Sequence, residues 1–106
     1  MQVKLANLSD CIYLESICNE IESSAKARGT GIAKRSPEYL KEKILSNQAV
    51  IAIDARGDWA GFCYIESWSH GKYVANSGLI VKPIYRKQGL AKQIKQYIFK
   101  ISRQKY

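Results

Sequence analysis

Acidic residues stop at Glu66. Residues 1–66 carry 8 basic and 9 acidic side chains, whereas residues 67–106 carry 9 basic ones and no acid, so the formal charge of +8 arises wholly in the last two-fifths of the chain. A polyanionic small ligand or a nucleic acid would account for such one-sided charge, and so would a solvated lysine-rich helix face. Histidine is scarce as well: His70 stands alone. The three cysteines, Cys11, Cys18 and Cys63, include no CxxC pair. That excludes the usual zinc spacings and leaves three small hydrophobes, and an odd count fits a reducing compartment. No apolar run approaches the roughly 18 residues that span a membrane. The N-terminus has no charged segment leading into an apolar one, so no signal peptide is expected and a cytoplasmic location follows. Internal repeats and low-complexity tracts are absent too.

What is present is a globular composition, 46% hydrophobic over 106 residues, which is enough for one core and one domain spanning 1–106. Val3 and Leu5 alternate with polar neighbours as a short strand. Ser9 or Asp10 is the expected cap of a helix whose stripe is Cys11, Leu14, Ile17, Cys18 and Ile21, fading near Ala25 to Ala27. Lys26 to Arg35, with two glycines and four cations, reads as a loop. Ser36-Pro37-Glu38 opens a second helix, with Tyr39, Leu40, Ile44 and the stem of Lys43 on the core side and Asn47 as its stop. Ala49–Ile53 reads as a strand buried on both faces, and Asp54–Asp58 as a hairpin turn with Gly57 left-handed. Trp59 to Glu66 returns as a strand in which Gly61 marks a bulge or a close approach. Tyr73 to Val81 is a strand interrupted at Asn76-Ser77-Gly78. From Arg86 a helix is expected to run almost to the end, burying Leu90, Ile94, Tyr97, Ile98 and Ile101. Two helices followed by three consecutive strands predict an α+β fold, order β-α-α-β-β-β-α, with a mostly antiparallel sheet.

The stretch Leu79-Ile80-Val81-Lys82-Pro83-Ile84-Tyr85-Arg86-Lys87-Gln88-Gly89-Leu90-Ala91 carries the functional signal. It reads as a strand end, a glycine-bearing turn and a helix start. A helix start offers unbonded N–H groups and the positive end of the dipole, a natural anion site. Residues 86–91 resemble the acetyl-CoA motif Arg/Gln-x-x-Gly-x-Gly/Ala of the Gcn5-related N-acetyltransferase (GNAT) superfamily. The lead-in of apolar strand, Pro, aromatic and Arg resembles that family as well, and so does the element order over essentially all 106 residues.

The resemblance implies an acetyl-CoA-dependent N-acetyltransferase with acetyl-CoA as co-substrate, a small-molecule amine acceptor, and no metal. It implies that Leu79, Ile80 and Val81 offer backbone groups to the pantetheine arm. Arg86, Lys87, Gln88, Gly89, Leu90 and Ala91 then surround the pyrophosphate, with Gly89 allowing close backbone approach. The family's base is often a carboxylate on the fourth strand, and this strand has none. Glu66 at the end of the third strand, His70 in the following loop, and Asn76 with Ser77 as holders of a water are the candidates. Tyr97 lies on the apolar stripe and is read as core. Arg28, Lys34 and Arg35, beside Lys26, favour an acceptor bearing a carboxylate, such as an amino acid.

Complete members of the family continue into further strands and a further helix. The chain therefore corresponds to the N-terminal part of the acyl-CoA N-acyltransferase fold, and its fourth strand is expected to present an open edge, 73–81, able to pair with a second copy. An incomplete, non-catalytic module that binds CoA or a partner chain is the alternative. A nucleic-acid binder ranks third, because no known motif is present and aromatics do not interleave the lysines.

Overall fold

The computed structural model describes residues 1–27, 36–68 and 73–105, with side chains described over 1–23, 36–65 and 79–100. Strand β1 (Gln2–Leu5) leads into a 3₁₀ turn, Leu8–Tyr13, and helix α1 (Leu14–Ala27); then follow α2 (Pro37–Leu45), β2 (Ala49–Ile53), β3 (Trp59–Trp68), β4 (Tyr73–Val81), a 3₁₀ turn Pro83–Tyr85 and α3 (Leu90–Lys105). The α+β order predicted from periodicity is the order observed.

Strands pair in the order β1-β2-β3-β4, and every described pair is antiparallel. Consecutive residues of β2 point to opposite faces, and both faces are covered. On one side Ile51, Ala49, Phe62, Tyr64 and Trp59 pack with Leu14, Ile17 and Cys18 of α1 and Leu40 and Ile44 of α2. On the other, Val50, Ala52, Cys63 and Ile65 pack with Leu90, Ile94 and Ile98 of α3. This three-layer arrangement explains why Ala49–Ala52 is a continuous buried run rather than an alternating one. Tyr97 packs half-buried against the α3-side cluster, as its place on the stripe predicts.

Several local expectations are met. Ser36 caps α2 by accepting the Tyr39 N–H at 3.1 Å, with Pro37 at the first position. Asn47 ends α2 in the left-handed region (φ 58°), and Gly57 turns the β2–β3 hairpin at φ 83°.

Others need correcting. Neither Ser9 nor Asp10 is the first cap. Asn7 is: its side chain accepts the Ser9 N–H at 3.1 Å, and Asp10 Oδ2 accepts the Asn7 N–H at 2.9 Å, a reciprocal capping box. The residues it opens form a 3₁₀ turn, and the α-helix proper starts only at Leu14. β3 runs two residues past Glu66, to Trp68. β4 is not interrupted at 76–78. Tyr64 faces Gly78 and Ile65 faces Asn76, so Ser77 is one extra residue and the break is a β-bulge. The last helix begins at Leu90, not Arg86, because Lys87 (φ 63°) and Gly89 (φ 79°) hold left-handed conformations that a right-handed helix cannot include.

Gly61 lets α3 sit close. It pairs with Ala52 and Val81, and Ile94 Cδ1 occupies the space where a Cβ would stand, with Leu90 Cδ2 in contact beside it. The glycine thereby sets the height of α3 over the sheet and, with it, where the helix start projects.

Candidate functional site

The end of β4 delivers the chain to that helix start. Ile80 and Val81 are buried and Leu79 is half-buried, so the strand is anchored from both faces until its last residue. The Lys82 N–H then donates to Ala60 O at 2.9 Å, continuing the ladder one residue further. Pro83 cannot donate to a ladder, and the chain leaves the sheet in a single 3₁₀ turn closed by the Tyr85 N–H on Lys82 O at 2.9 Å.

Arg86 to Gly89 form the turn proper. Arg86 is extended (φ −69°, ψ 153°), and the two left-handed residues flank Gln88. Gln88 Nε2 caps back onto Ile84 O at 3.0 Å. The first backbone bond into α3 is Gln93 N–H on Gly89 O at 3.1 Å. Among the described residues, no backbone acceptor meets the N–H groups of Leu90, Ala91 and Lys92. They form the open, positive end of a 16-residue helix that carries no acid in its first turn. Lys87, Gln88 and Gly89 are exposed, and open space lies where a Cβ on Gly89 would stand. An anion placed here would meet backbone donors directly.

Arg86, though exposed, folds back on the protein. Its Nε donates to Val81 O at 3.0 Å, and Nη2 lies 3.4 Å from Glu20 Oε1 of α1. Its guanidinium thus clips the turn to the strand end and to α1, and the turn's outward charge comes from Lys87 and from Lys92 in the first turn of α3, both exposed.

Two further ties reach the same junction from the β2–β3 hairpin. Tyr85 Oη donates to Asp54 Oδ2 at 2.7 Å. Lys82 Nζ meets Asp58 Oδ2 at 2.6 Å and lies 5.0 Å from the centroid of the Trp59 ring. The Tyr85 hydrogen bond, with backbone donors from Asp58 and Arg56, holds the Asp54 carboxyl below its ordinary value, and the same bond holds the Tyr85 phenol above its own. Nothing in the local sequence announces these pairs. Asp54 and Asp58 are plain turn residues until the fold brings residue 85 against them.

The expected catalytic residues are placed only by backbone. Glu66 lies opposite Ala75, and Asn76 opposite Ile65, so the two occupy adjacent rungs of the β3–β4 ladder beside the Ser77 bulge. His70 lies outside the described residues, as do Arg28, Lys34 and Arg35. A separate groove of about 570 Å³ runs between the start of α1 and α2, lined in part by Cys11, Glu15, Asn19, Glu38 and Lys41. It shares no residue with the turn. Among the described residues, no group of three or more His, Cys, Asp or Glu is placed to hold a metal, and no helix is long and apolar enough to cross a membrane.

Comparison with known proteins agrees with this geometry. The sequence model of the acetyltransferase (GNAT) family matches residues 19–105. N-acetylglutamate synthase from Neisseria gonorrhoeae, solved with coenzyme A and N-acetyl-glutamate, superposes with a TM-score of 0.75 at 18% identity, over 96% of this chain and 22% of its own. An aminoglycoside 6'-N-acetyltransferase complexed with coenzyme A gives 0.77 at 16% identity, over 98% of this chain and 56% of its own. A GNAT-type protein from Staphylococcus aureus gives 0.75 at 18% identity, over 98% of this chain and 92% of its own. The chain thus spans well under two-thirds of the first two and nearly all of the third. No curated protein sequence matches it.

Proposed function

The chain belongs to the acetyltransferase (GNAT) family, and on that premise we propose that it is an acetyl-CoA-dependent N-acetyltransferase whose pyrophosphate site is the turn 86–91. One observation carries the reading: a glycine-bearing turn, with Lys87 and Gly89 both left-handed, opens a helix whose first turn carries no acid and whose first N–H groups meet no backbone acceptor among the described residues. Two structural neighbours hold coenzyme A, which supports the ligand class.

The pantetheine arm runs along β4, whose ladder to β3 uses one edge and leaves the other without a partner among the described strands. The acceptor amine, once deprotonated, attacks the thioester carbon. A C–N bond forms, the C–S bond breaks, and the thiolate leaves and takes a proton. The proton lost from the amine passes to a base or a water at the β3–β4 rungs, where Glu66, Asn76 and Ser77 stand, with His70 as the alternative base. The cations Arg28, Lys34 and Arg35 select an acceptor bearing a carboxylate, and one neighbour's bound N-acetyl-glutamate is of that kind.

A second reading follows from the open edge of β4: residues 1–106 form one domain that binds CoA and completes its cleft by pairing 73–81 with another copy or another segment. Calorimetry with CoA tests the shared premise. Binding is expected in the wild type and lost in Gly89→Glu, which strains a φ of 79° and sets a carboxylate at the helix start. No binding at millimolar CoA would overturn both readings. Binding without turnover on any amine leaves the second.

A further inference from the structure

The segment that bears the turn has little packing of its own. Pro83, Ile84, Arg86, Lys87, Gln88 and Gly89 are all exposed, and only Tyr85 is half-buried against the α3-side core. Yet a backbone donor cradle works only when its N–H groups are held in place before the ligand arrives. Arg86 clips the turn to the strand end and to α1, and the β2–β3 hairpin supplies a further restraint on the residues just before it. We propose that Asp54 is a positioning residue for the anion-binding turn, acting through Tyr85, and that Asp58 acting on Lys82 is the second tie from the same hairpin. The inference rests on reading 86–91 as the coenzyme A turn.

Asp54 uses both of its oxygens. Oδ1 accepts the N–H groups of Arg56 at 2.8 Å and Asp58 at 3.1 Å, so the carboxylate is locked into the hairpin turn. The backbone closes the same turn, with Asp54 N–H on Asp58 O at 2.8 Å and Gly57 N–H on Asp54 O at 3.1 Å. Oδ2 is left to receive the Tyr85 hydroxyl. Asp58 is fixed likewise, its Oδ1 accepting the Trp59 N–H at 2.8 Å while Oδ2 takes Lys82. The hairpin is in turn held to the N-terminal layer by the Tyr13 hydroxyl on Gly57 O. Two carboxylates, each anchored by backbone N–H groups of the hairpin, therefore hold the first and last residues of the junction, Lys82 and Tyr85, with the intervening 3₁₀ turn closed between them. Tyr85 immediately precedes Arg86, so rotation about residue 85 would swing the whole donor set.

Exposed ion pairs and hydrogen bonds of this kind add little to global stability. Their effect belongs in the ligand affinity and in local opening, which a merely structural role would not single out. The test is Tyr85→Phe, which deletes only the hydroxyl, beside Lys82→Met, both in the full chain. Hydrogen exchange of residues 86–92 is expected to quicken in Tyr85→Phe, with β2 and β3 amides unchanged, and the Kd for CoA to rise about three- to tenfold. Lys82→Met is expected to act in the same direction. Wild-type exchange at 86–92 together with wild-type CoA affinity in both variants would overturn the inference. Failure of the wild-type chain to bind CoA would instead overturn the reading of the turn as a coenzyme A site, and the exchange measurement still decides whether Asp54 and Tyr85 hold it.

Discussion

A Cβ built on Gly61 would stand 2.6 Å from Ile94 Cδ1 and 3.4 Å from Ile80 O. Ile94 is fully buried, so its terminal methyl has little room to retreat. Gly61→Ala is expected to destabilise the fold by about 1–3 kcal/mol, the usual cost of an added methyl in a packed core. Adding Ile94→Val, which removes Cδ1, should recover part of that loss. Urea denaturation of the two single variants and the double variant checks the coupling. Strictly additive effects would show that the two residues do not share the space.

The Asp54–Tyr85 bond has a defined pH window. Asp54 is held below its ordinary value of 3.8, so whatever the bond contributes is present above that value and is lost as the pH falls through the lower, folded value. Tyr85 is held above 10.0, so the contribution stays intact below that value and is lost as the pH rises through the higher, folded one. A small difference in Tm between wild type and Tyr85→Phe should therefore persist across the neutral range and narrow towards both extremes. A difference that did not narrow as the pH falls below 3.8 would refute the assignment.

Asp10 is the buried carboxylate of the first turn, 5% exposed, and it accepts from Lys4 Nζ and the Asn7 N–H, each at 2.9 Å. Asp10→Ala removes the acceptor from both donors and dissolves the capping box. The expected cost is about 1–3 kcal/mol. Asp10→Ser, short and still an acceptor, should lose less. Equal losses in thermal denaturation would argue that Asp10 acts by bulk alone.

The cysteines should differ in reactivity. Burial pushes the Cys63 thiol up to about 12, Cys18 is also buried, and Cys11 is half-exposed at the groove between α1 and α2. Titration with a thiol reagent at pH 8 is expected to give one fast equivalent at Cys11 and two that react only on unfolding. Rapid labelling of Cys63 in the folded chain would contradict the burial described.

Much of this molecule was legible from the chain alone, and the reason is physical in each case. The two helical stripes, the Ser36 cap with Pro37, the left-handed Asn47 and Gly57, and the continuous apolar strand at 49–53 are decided by residues within one turn or one pleat of each other. The turn at 86–91 is local in the same sense, and its resemblance to an acetyl-CoA motif led directly to the family. Expectations failed where competing local choices are nearly equal in energy. Asn7, Ser9 and Asp10 are all good caps, and only the path from β1 into the helical layer selected Asn7. The start of α3 moved from Arg86 to Leu90 because the chain must turn sharply off the sheet edge, which asks Lys87 and Gly89 for positive φ.

What tertiary structure alone decided are the contacts between residues far apart in the chain. Asp54 and Tyr85 are separated by 31 positions, and Glu20 and Arg86 by 66. No periodicity or motif links them, because their pairing depends on strand register and on the height of α3 above the sheet. The amino-acid sequence by itself determined that a glycine-bearing turn follows the last strand and leads into the last helix, and the order of the elements around it. The packed sheet determined what holds that turn, since only there do a hairpin carboxylate and a strand-end tyrosine come within one hydrogen bond of each other.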